Sequence, residues 1–472
     1  MNTKLFFIAT CLFAANTLSA KITLPHVLGD NMVLQQQSTV KLWGEATPNK
    51  KVVVETSWLK KKVSCNSDAD GKWMVQIPTP EGSYEPQTIE ISDGEAIQLK
   101  NILIGEVWLA SGQSNMEMPL IGFWHCPVEG ANEEILHSGK YHDRIRFVKI
   151  PKVQAFEPKD DVDCRWVESN PQNSPHFSAV AYFFAKSLTG VLDVPVGIID
   201  CNWGGSPVES WLDKNTLQGY GDVNLDETAI NQIGEPGRPM MMYNAMLHPM
   251  KNFTLRGFIW YQGEANVGRY PVYAERLADM VKLWRNDWNL GDLPFYYVEI
   301  APYDYGQGRT DFAAYLREAQ YKAQSLIPNS GMVSTNDLVF DYERVNIHPA
   351  KKKEVGQRLS YMALSYTYGV KGVHAHGPEY SSVEFKDGEA FVKFKYADMG
   401  FNRLIDIKGF EVCGADKQFY PAEARISGNT VIVKSDKVQQ PVSVRYCFRD
   451  FMVGNLAGTF GLPVVPFRTD NF

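Results

Sequence analysis

The sequence predicts an α/β protein: a doubly wound parallel sheet flanked by N-terminal and C-terminal β-sandwich-like modules. Three observations carry that expectation. From Glu106 to about residue 370, short apolar runs alternate with amphipathic stretches, the pattern of a parallel sheet covered on both faces. On either side of this region the apolar period drops to two, with Asp-Gly turns between runs. A length of 472 residues also exceeds what one core usually organises, so several units are expected.

In the N-terminal module, residues 21–105, Val40 and Leu42 alternate with polar neighbours, as do Trp73, Val75 and Ile77 and then Ile89 and Ile91. Asp70-Gly71 and Asp93-Gly94 supply the turns. In the α/β region, residues 106–370, strands are expected at Val107 to Ala110, Val196 to Asp200, Gly257 to Tyr261, Phe295 to Ile300 and Gly331 to Thr335. Between them Val180, Phe184 and Leu188 share one helical face, as do Tyr273, Leu277, Met280 and Trp284, and then Val355, Leu359 and Met362. Residues 371–472 return to β, with Asp387-Gly388 dividing Val383 to Phe385 from Phe391 to Phe394.

A formal charge of −7 argues against nucleic acid or an anionic membrane as partner, since either demands a positive field. The expected partner is a small molecule or glycan. Residues 1–20 read as a cleavable leader: Lys4, an apolar stretch from Leu5 to Phe13, and the exit Leu18-Ser19-Ala20. Secretion or a periplasmic location is therefore expected, and no later segment has the apolar length of a membrane span. Beyond the leader stand Cys65, Cys126, Cys164, Cys201, Cys413 and Cys447, whose irregular spacing matches no zinc motif. Buried thiols with one or two bridges are the expectation. No Gly-x-Gly-x-x-Gly turn follows the first α/β strand, which sets aside a dinucleotide-binding role.

Each chemical motif falls just behind an expected strand, where doubly wound sheets bind their ligands. Gly112-Gln113-Ser114-Asn115-Met116 offers a hydroxyl on a tight turn entering a helix, where backbone N–H groups can meet an oxyanion. Taken alone, Ser114 would sooner be a helix cap. Asn202-Trp203-Gly204-Gly205-Ser206 carries a glycine pair that lets backbone approach a ligand. Trp260-Tyr261-Gln262-Gly263-Glu264-Ala265-Asn266 ends in an amide able to donate to an oxyanion. Asn346-Ile347-His348-Pro349 places an imidazole at the opening of a helix, with proline in its first turn. Four such elements, each behind its own strand, define one polar cluster at a sheet edge.

In that order the motifs resemble the four blocks of the SGNH hydrolases. The longer strings GEVWLASGQSNMEMPL, WYQGEANV, NIHPAKKKEVGQRL and GLPVVPFRTD narrow the resemblance to the sialate O-acetylesterases, over nearly the whole mature chain. The resemblance implies a carbohydrate O-deacetylase that uses no cofactor or metal. It implies Ser114 as nucleophile and His348 as base. It places the oxyanion hole at the N–H groups of Ser114, Gly204 and Gly205 with the Asn266 amide, and it puts Gln113, Gln262 and Glu264 against substrate. Where many of these enzymes carry an Asp three residues before the His, this chain has Val345. Asp337, Asp341 and Glu343 are the candidates for the missing acid, with Asp337 favoured, and a dyad without any acid is the alternative. If the sugar carries a carboxylate, an arginine clamp is expected, and Arg269, Arg285 and Arg317 are its candidates. Acetylated xylan is the rival substrate, and a non-catalytic glycan-binding protein is the rival function. Oligomeric state is not legible.

Overall fold

A single strand of 17 residues, β1 (Ala96–Gly112), links the N-terminal β region to the α/β region, in a computed structural model that describes residues 22–306, 311–403 and 406–472. Its first half alternates exposed and half-buried residues and pairs antiparallel with Ser83–Ser92; from Ile102 onward every residue is buried. The division expected between residues 105 and 106 thus falls inside one continuous ladder. The expected leader, residues 1–20, lies outside the described residues.

The remaining strands of the central sheet are β2 (Ile145–Lys149), β3 (Trp166–Glu168), β4 (Val196–Asn202), β5 (Gly257–Tyr261), β6 (Phe295–Val298) and β7 (Ser330–Val333). Their spatial order is β7-β6-β5-β1-β4-β2-β3, parallel throughout except for β3 at the edge. Strands β4, β5 and β6 are buried along their whole length, as a sheet covered on both faces requires. Because the chain runs outward from β1 in both directions, the carboxyl end of β1 is the switch point where a crevice opens. Gly112 there pairs with Asn202 on one side and Tyr261 on the other, so three of the four motifs leave the sheet from one row.

Five helices matter to the site: α1 (Ser114–Glu117), α2 (Ala179–Leu192), α3 (Tyr273–Trp288), α4 (Phe312–Ala323) and α5 (Lys352–Met362). Ser178 caps α2 by accepting from the Ala181 N–H at 3.1 Å. Helices α2 and α5 pass so closely that a Cβ on Gly356 would lie 2.5 Å from the Val180 carbonyl oxygen. This contact fixes the helix that follows the histidine loop against the sheet. Strand β2 and helix α4 are not predicted by the periodicity. Arg146 hides the strand: it is buried in β2 and its guanidinium bonds the Asn31 carbonyl and Asn101, so a basic residue sits where the pattern demands an apolar one. In α4, buried Arg317 and Gln320 interrupt the apolar face in the same way.

The N-terminal strands enclose Val40, Leu42, Val52, Val54, Trp73 and Ile77, which are continuous with the α/β core. The C-terminal region forms two four-stranded sheets around their own apolar cluster. It packs on the α/β part through an Arg468–Glu318 ion pair at 2.9 Å, Tyr321 donating to Glu379 at 2.8 Å, and Asn336 donating to the Val464 carbonyl at 3.1 Å. All six described cysteines are free thiols, which corrects the expectation of one or two bridges. Among the described residues no helix is long and apolar enough to cross a membrane.

Candidate active site

The nucleophile turn is forced by Gly112. Its φ is +140°, and a Cβ there would stand 2.2 Å from the Tyr261 carbonyl oxygen. That oxygen accepts the Gln113 N–H at 3.0 Å, which closes the turn onto β5. Gln113 is the N-cap of the single-turn helix α1, so Ser114 is its first residue and capping is not its role. Gln113 Oε1 accepts the N–H groups of Gly263 and Ala265 at 3.2 and 3.1 Å, locking the β5 loop to the serine turn.

The glycine pair lies against this turn, since a Cβ on Gly204 would stand 3.1 Å from that of Ser114. The Gly204 N–H, expected in the oxyanion hole, donates to Glu117 Oε2 at 2.6 Å; Lys152 holds the other oxygen at 2.5 Å. Gly205, at φ +80°, carries the turn onward. Asn266 is buried, accepts from Val208 N–H and Gln262 Nε2 at 3.0 and 2.7 Å, and directs its amide nitrogen at Glu209 at 3.0 Å. Glu209 is in turn held by Arg276 at 2.5 Å and Arg269 at 3.3 Å. Two residues expected on the substrate face are spent inside the protein. Gln262 bonds the Ser206 carbonyl, Asn266 and Tyr273, and Glu264 accepts from Asn115 at 2.5 Å. Burial raises the Glu264 carboxyl above its ordinary value.

His348 stands in a loop that precedes α5. The helix begins only at Lys352, so Pro349 lies ahead of it and not in its first turn. The backbone around the histidine is pinned by Asn346, whose side chain accepts the His348 N–H and donates to its carbonyl, each at 3.0 Å. The ring packs edge-on against Phe123. Nδ1 faces Cys126 Sγ at 4.0 Å, and Nε2 is buried without a hydrogen-bond partner among the described residues. Burial, aided by the positive charge of Lys352 and opposed by Glu117, lowers the ring from 6.5 to about 4, so the imidazole is neutral over most of the pH range.

Asp337 does not support this ring. Both its oxygens are taken by Arg358, at 2.7 and 2.6 Å, because the strand-end loop drops the carboxylate onto the guanidinium of α5. Glu343 instead caps its own loop, accepting Phe340 and Ala350 N–H groups at 3.0 and 2.9 Å. Among the described residues His348 forms no ion pair with any carboxylate, Asp341 included.

The serine turn and the histidine loop meet through Asn115. Its Nδ2 donates to the Ile347 carbonyl at 3.0 Å, and its Oδ1 accepts from Lys352 Nζ at 2.8 Å. A cleft of about 840 Å³, lined by Glu117, Lys149, Lys152, Arg165, His176 and Asn202, reaches the serine helix through Glu117 and the end of β4 through Asn202; Ser114 and His348 are not among its lining residues. A cavity of similar size, about 870 Å³, lies at the seam of the N-terminal module near Trp43 and Trp73 and touches none of the candidate residues. The three candidate clamp arginines are all engaged: Arg285 on the Leu293 and Pro328 carbonyls, Arg317 on the Arg449 carbonyl, and Arg269 on Glu209. Exposed Arg165 makes no ion pair among the described residues. Asn115, Glu117, Cys126 and Lys352, which lie around the two motifs, and Arg165 in the neighbouring cleft were not singled out by the sequence. The first two lie within the GQSNME segment around the serine and Lys352 is the second lysine of the NIHPAKK string, which is the signal that could have found them. Among the described residues no group of three His, Cys, Asp or Glu is placed to hold a metal ion.

Comparison with known proteins identifies the family. A family model described as carbohydrate esterase, sialic acid-specific acetylesterase, matches residues 104–365. The chain is 28% identical over 444 residues to the sialate O-acetylesterase of Homo sapiens, covering 86% of this chain and 83% of that one. To the sialate O-acetylesterase of Mus musculus it is 27% identical, covering 88% and 87%. Among solved structures, a carbohydrate acetylesterase from Xanthomonas citri superposes with a TM-score of 0.85 at 33% identity, covering 96% of this chain and 100% of that one. By class the chain is a carboxylic ester hydrolase built on a mixed α/β fold with a mainly parallel central sheet. It belongs to the carbohydrate esterase family of sialic acid-specific acetylesterases.

Proposed function

We propose that the chain removes O-acetyl groups from sialic acids or closely related sugars by acyl transfer through Ser114 and His348, on an SGNH hydrolase plan. The observation that carries this reading is the Asn115–Ile347 hydrogen bond. It joins the residue after the nucleophile to the residue before the base, although 232 positions separate them. His348 Nε2, neutral and unpaired, takes the Ser114 proton as Oγ attacks the acetyl carbonyl carbon. The same proton then passes to the sugar oxygen as the ester C–O bond breaks, leaving acetyl-Ser114. Water, deprotonated by His348, attacks this ester; the serine recovers its proton and acetate departs. The oxyanion is assigned to the Ser114 N–H, the glycine pair and the second amide hydrogen of Asn266, with Gly204 exchanging Glu117 for the oxyanion. In place of an acid, Phe123, Cys126 and Asn346 orient the ring.

The cationic cleft supports an anionic sugar. Lys149, Lys152 and Arg165 outnumber the acidic groups Glu117 and Asp163 along its wall, and Arg165, without an ion pair among the described residues, offers the fork that a carboxylate accepts. The leader at residues 1–20 adds secretion to the proposal. Acetate release from O-acetylated sialic acid and from acetylated xylan, by wild type and Ser114→Ala, tests it. Release from the former that vanishes in the variant supports the reading; full activity in the variant ends it, and release from xylan alone changes the substrate.

A further inference from the structure

Beneath the two catalytic segments lies an interior cluster of Asn115, Glu264 and Lys352, none of which touches the cleft. We propose that Lys352 is the positioning residue of this site: its buried ammonium fastens the Ser114 turn to the His348 loop and takes over the orienting part of the work usually left to the acid of a triad. The inference rests on the Ser114–His348 reading and goes further into its machinery.

Lys352 is 1% exposed. Its Nζ donates to Asn115 Oδ1 at 2.8 Å and to the Pro349 carbonyl at 2.7 Å, and so grips the residues that follow the nucleophile and the base. The Asn115 amide repeats the grip from the other side, donating to Glu264 at 2.5 Å and to the Ile347 carbonyl at 3.0 Å. The histidine is therefore held by its own flanking carbonyls, at 347 and 349. Burial lowers the Lys352 ammonium from 10.5 to about 7 against the opposing charges of Glu264 and Glu343, so it is charged throughout the acid range in which His348 titrates; the Tyr261 ring lies 5.9 Å away. The charged and titratable groups facing His348 are Lys352 from α5, Glu117 from α1 and the Cys126 thiol from the intervening loop. Of these, only Lys352 bears a positive charge. It favours the neutral imidazole that can accept the serine proton, in contrast to a carboxylate, which would favour the imidazolium.

The test compares full-length wild type, Lys352→Met and the double variant Lys352→Met/Glu264→Gln, using an aryl acetate. Thermal unfolding is recorded alongside the pH profile of kcat/KM. A loss of registration on the order of 1 Å predicts a kcat lower by about a hundredfold in both variants, with KM little changed. The acid limb of the profile should move upward in both. The double variant leaves no unpaired buried charge and carries the test if the single one does not fold. Recovery of wild-type kcat in the double variant would show that Lys352 merely neutralises Glu264 and would overturn the proposal, as would an unmoved acid limb in either. Fluorophosphonate labelling gives a second readout that needs no turnover: the acid midpoint for Ser114 should lie higher in Lys352→Met than in wild type, and an unmoved midpoint overturns the proposal. If Ser114 does not label at all, it is the Ser114–His348 reading that has failed.

Discussion

Replacing Asp337 by Asn separates two accounts of how His348 is supported. The structure commits both Asp337 oxygens to Arg358, whose side chain is 8% exposed, and leaves His348 without a carboxylate partner among the described residues. The substitution removes a charge-assisted pair from a guanidinium that stays buried, at a cost of about 1.5–3 kcal/mol. At about 2.1 cal/mol/K of unfolding entropy per residue, that corresponds for a chain of this size to a fall in Tm of roughly 1.5–3 °C. Well below the transition, turnover of an aryl acetate should stay within a few-fold of wild type. A supporting Asp of a working triad behaves otherwise, since its replacement by Asn lowers kcat by about 10⁴-fold in serine proteases. The assay is steady-state kinetics at 20–25 °C paired with a thermal melt on the same preparation. A loss of a thousandfold or more in a protein that melts normally would refute the dyad and restore Asp337 to the mechanism.

The same geometry commits the protein to further outcomes. Because the base must be neutral and burial holds His348 at about 4, the acid limb of kcat/KM should fall near that pH; at pH 5.5 an ordinary imidazole would already cost about tenfold, so a midpoint at 6.5 or above contradicts the placement. Since the folded value lies below the unfolded one, the unfolded chain binds the extra proton, and stability should decline as pH falls from 6.5 through about 4 in chemical denaturation. Gly112→Ala meets both a left-handed backbone and the Tyr261 carbonyl, and is expected to cost roughly 3 kcal/mol or more together with esterase activity; a variant as stable as wild type would contradict the turn described. Arg165→Gln should raise KM for O-acetylated sialic acid and leave an aryl acetate untouched, whereas equal effects on both would remove Arg165 from substrate recognition.

The parallel sheet was legible because β4 and β5 are short apolar runs with nothing to disguise them. Strand β2 was not, because Arg146 occupies a core position that only backbone carbonyls from the N-terminal module make tolerable, and those partners lie far away in sequence. The four motifs identified the site for a physical reason. Gly112, Asn202 and Tyr261 end in one row of the sheet, so the loops that leave these three strand ends must converge. Side-chain assignments fared differently. Asp337, Gln262 and Glu264 have the chemistry of site residues, yet each faces an interior partner that no spacing rule reveals. Lys352 was overlooked for the opposite reason: a lysine run at the start of a helix reads as solvated surface, and only the fold buries this one member of it.

The central claim is that Ser114 and His348 act together, and the most direct measurement is the rate and site of covalent labelling by a fluorophosphonate, mapped by mass spectrometry. One equivalent on Ser114, with labelling slowed by orders of magnitude in His348→Ala, is the predicted result. An adduct on another residue, or a His348→Ala chain that labels as fast as wild type, would contradict it.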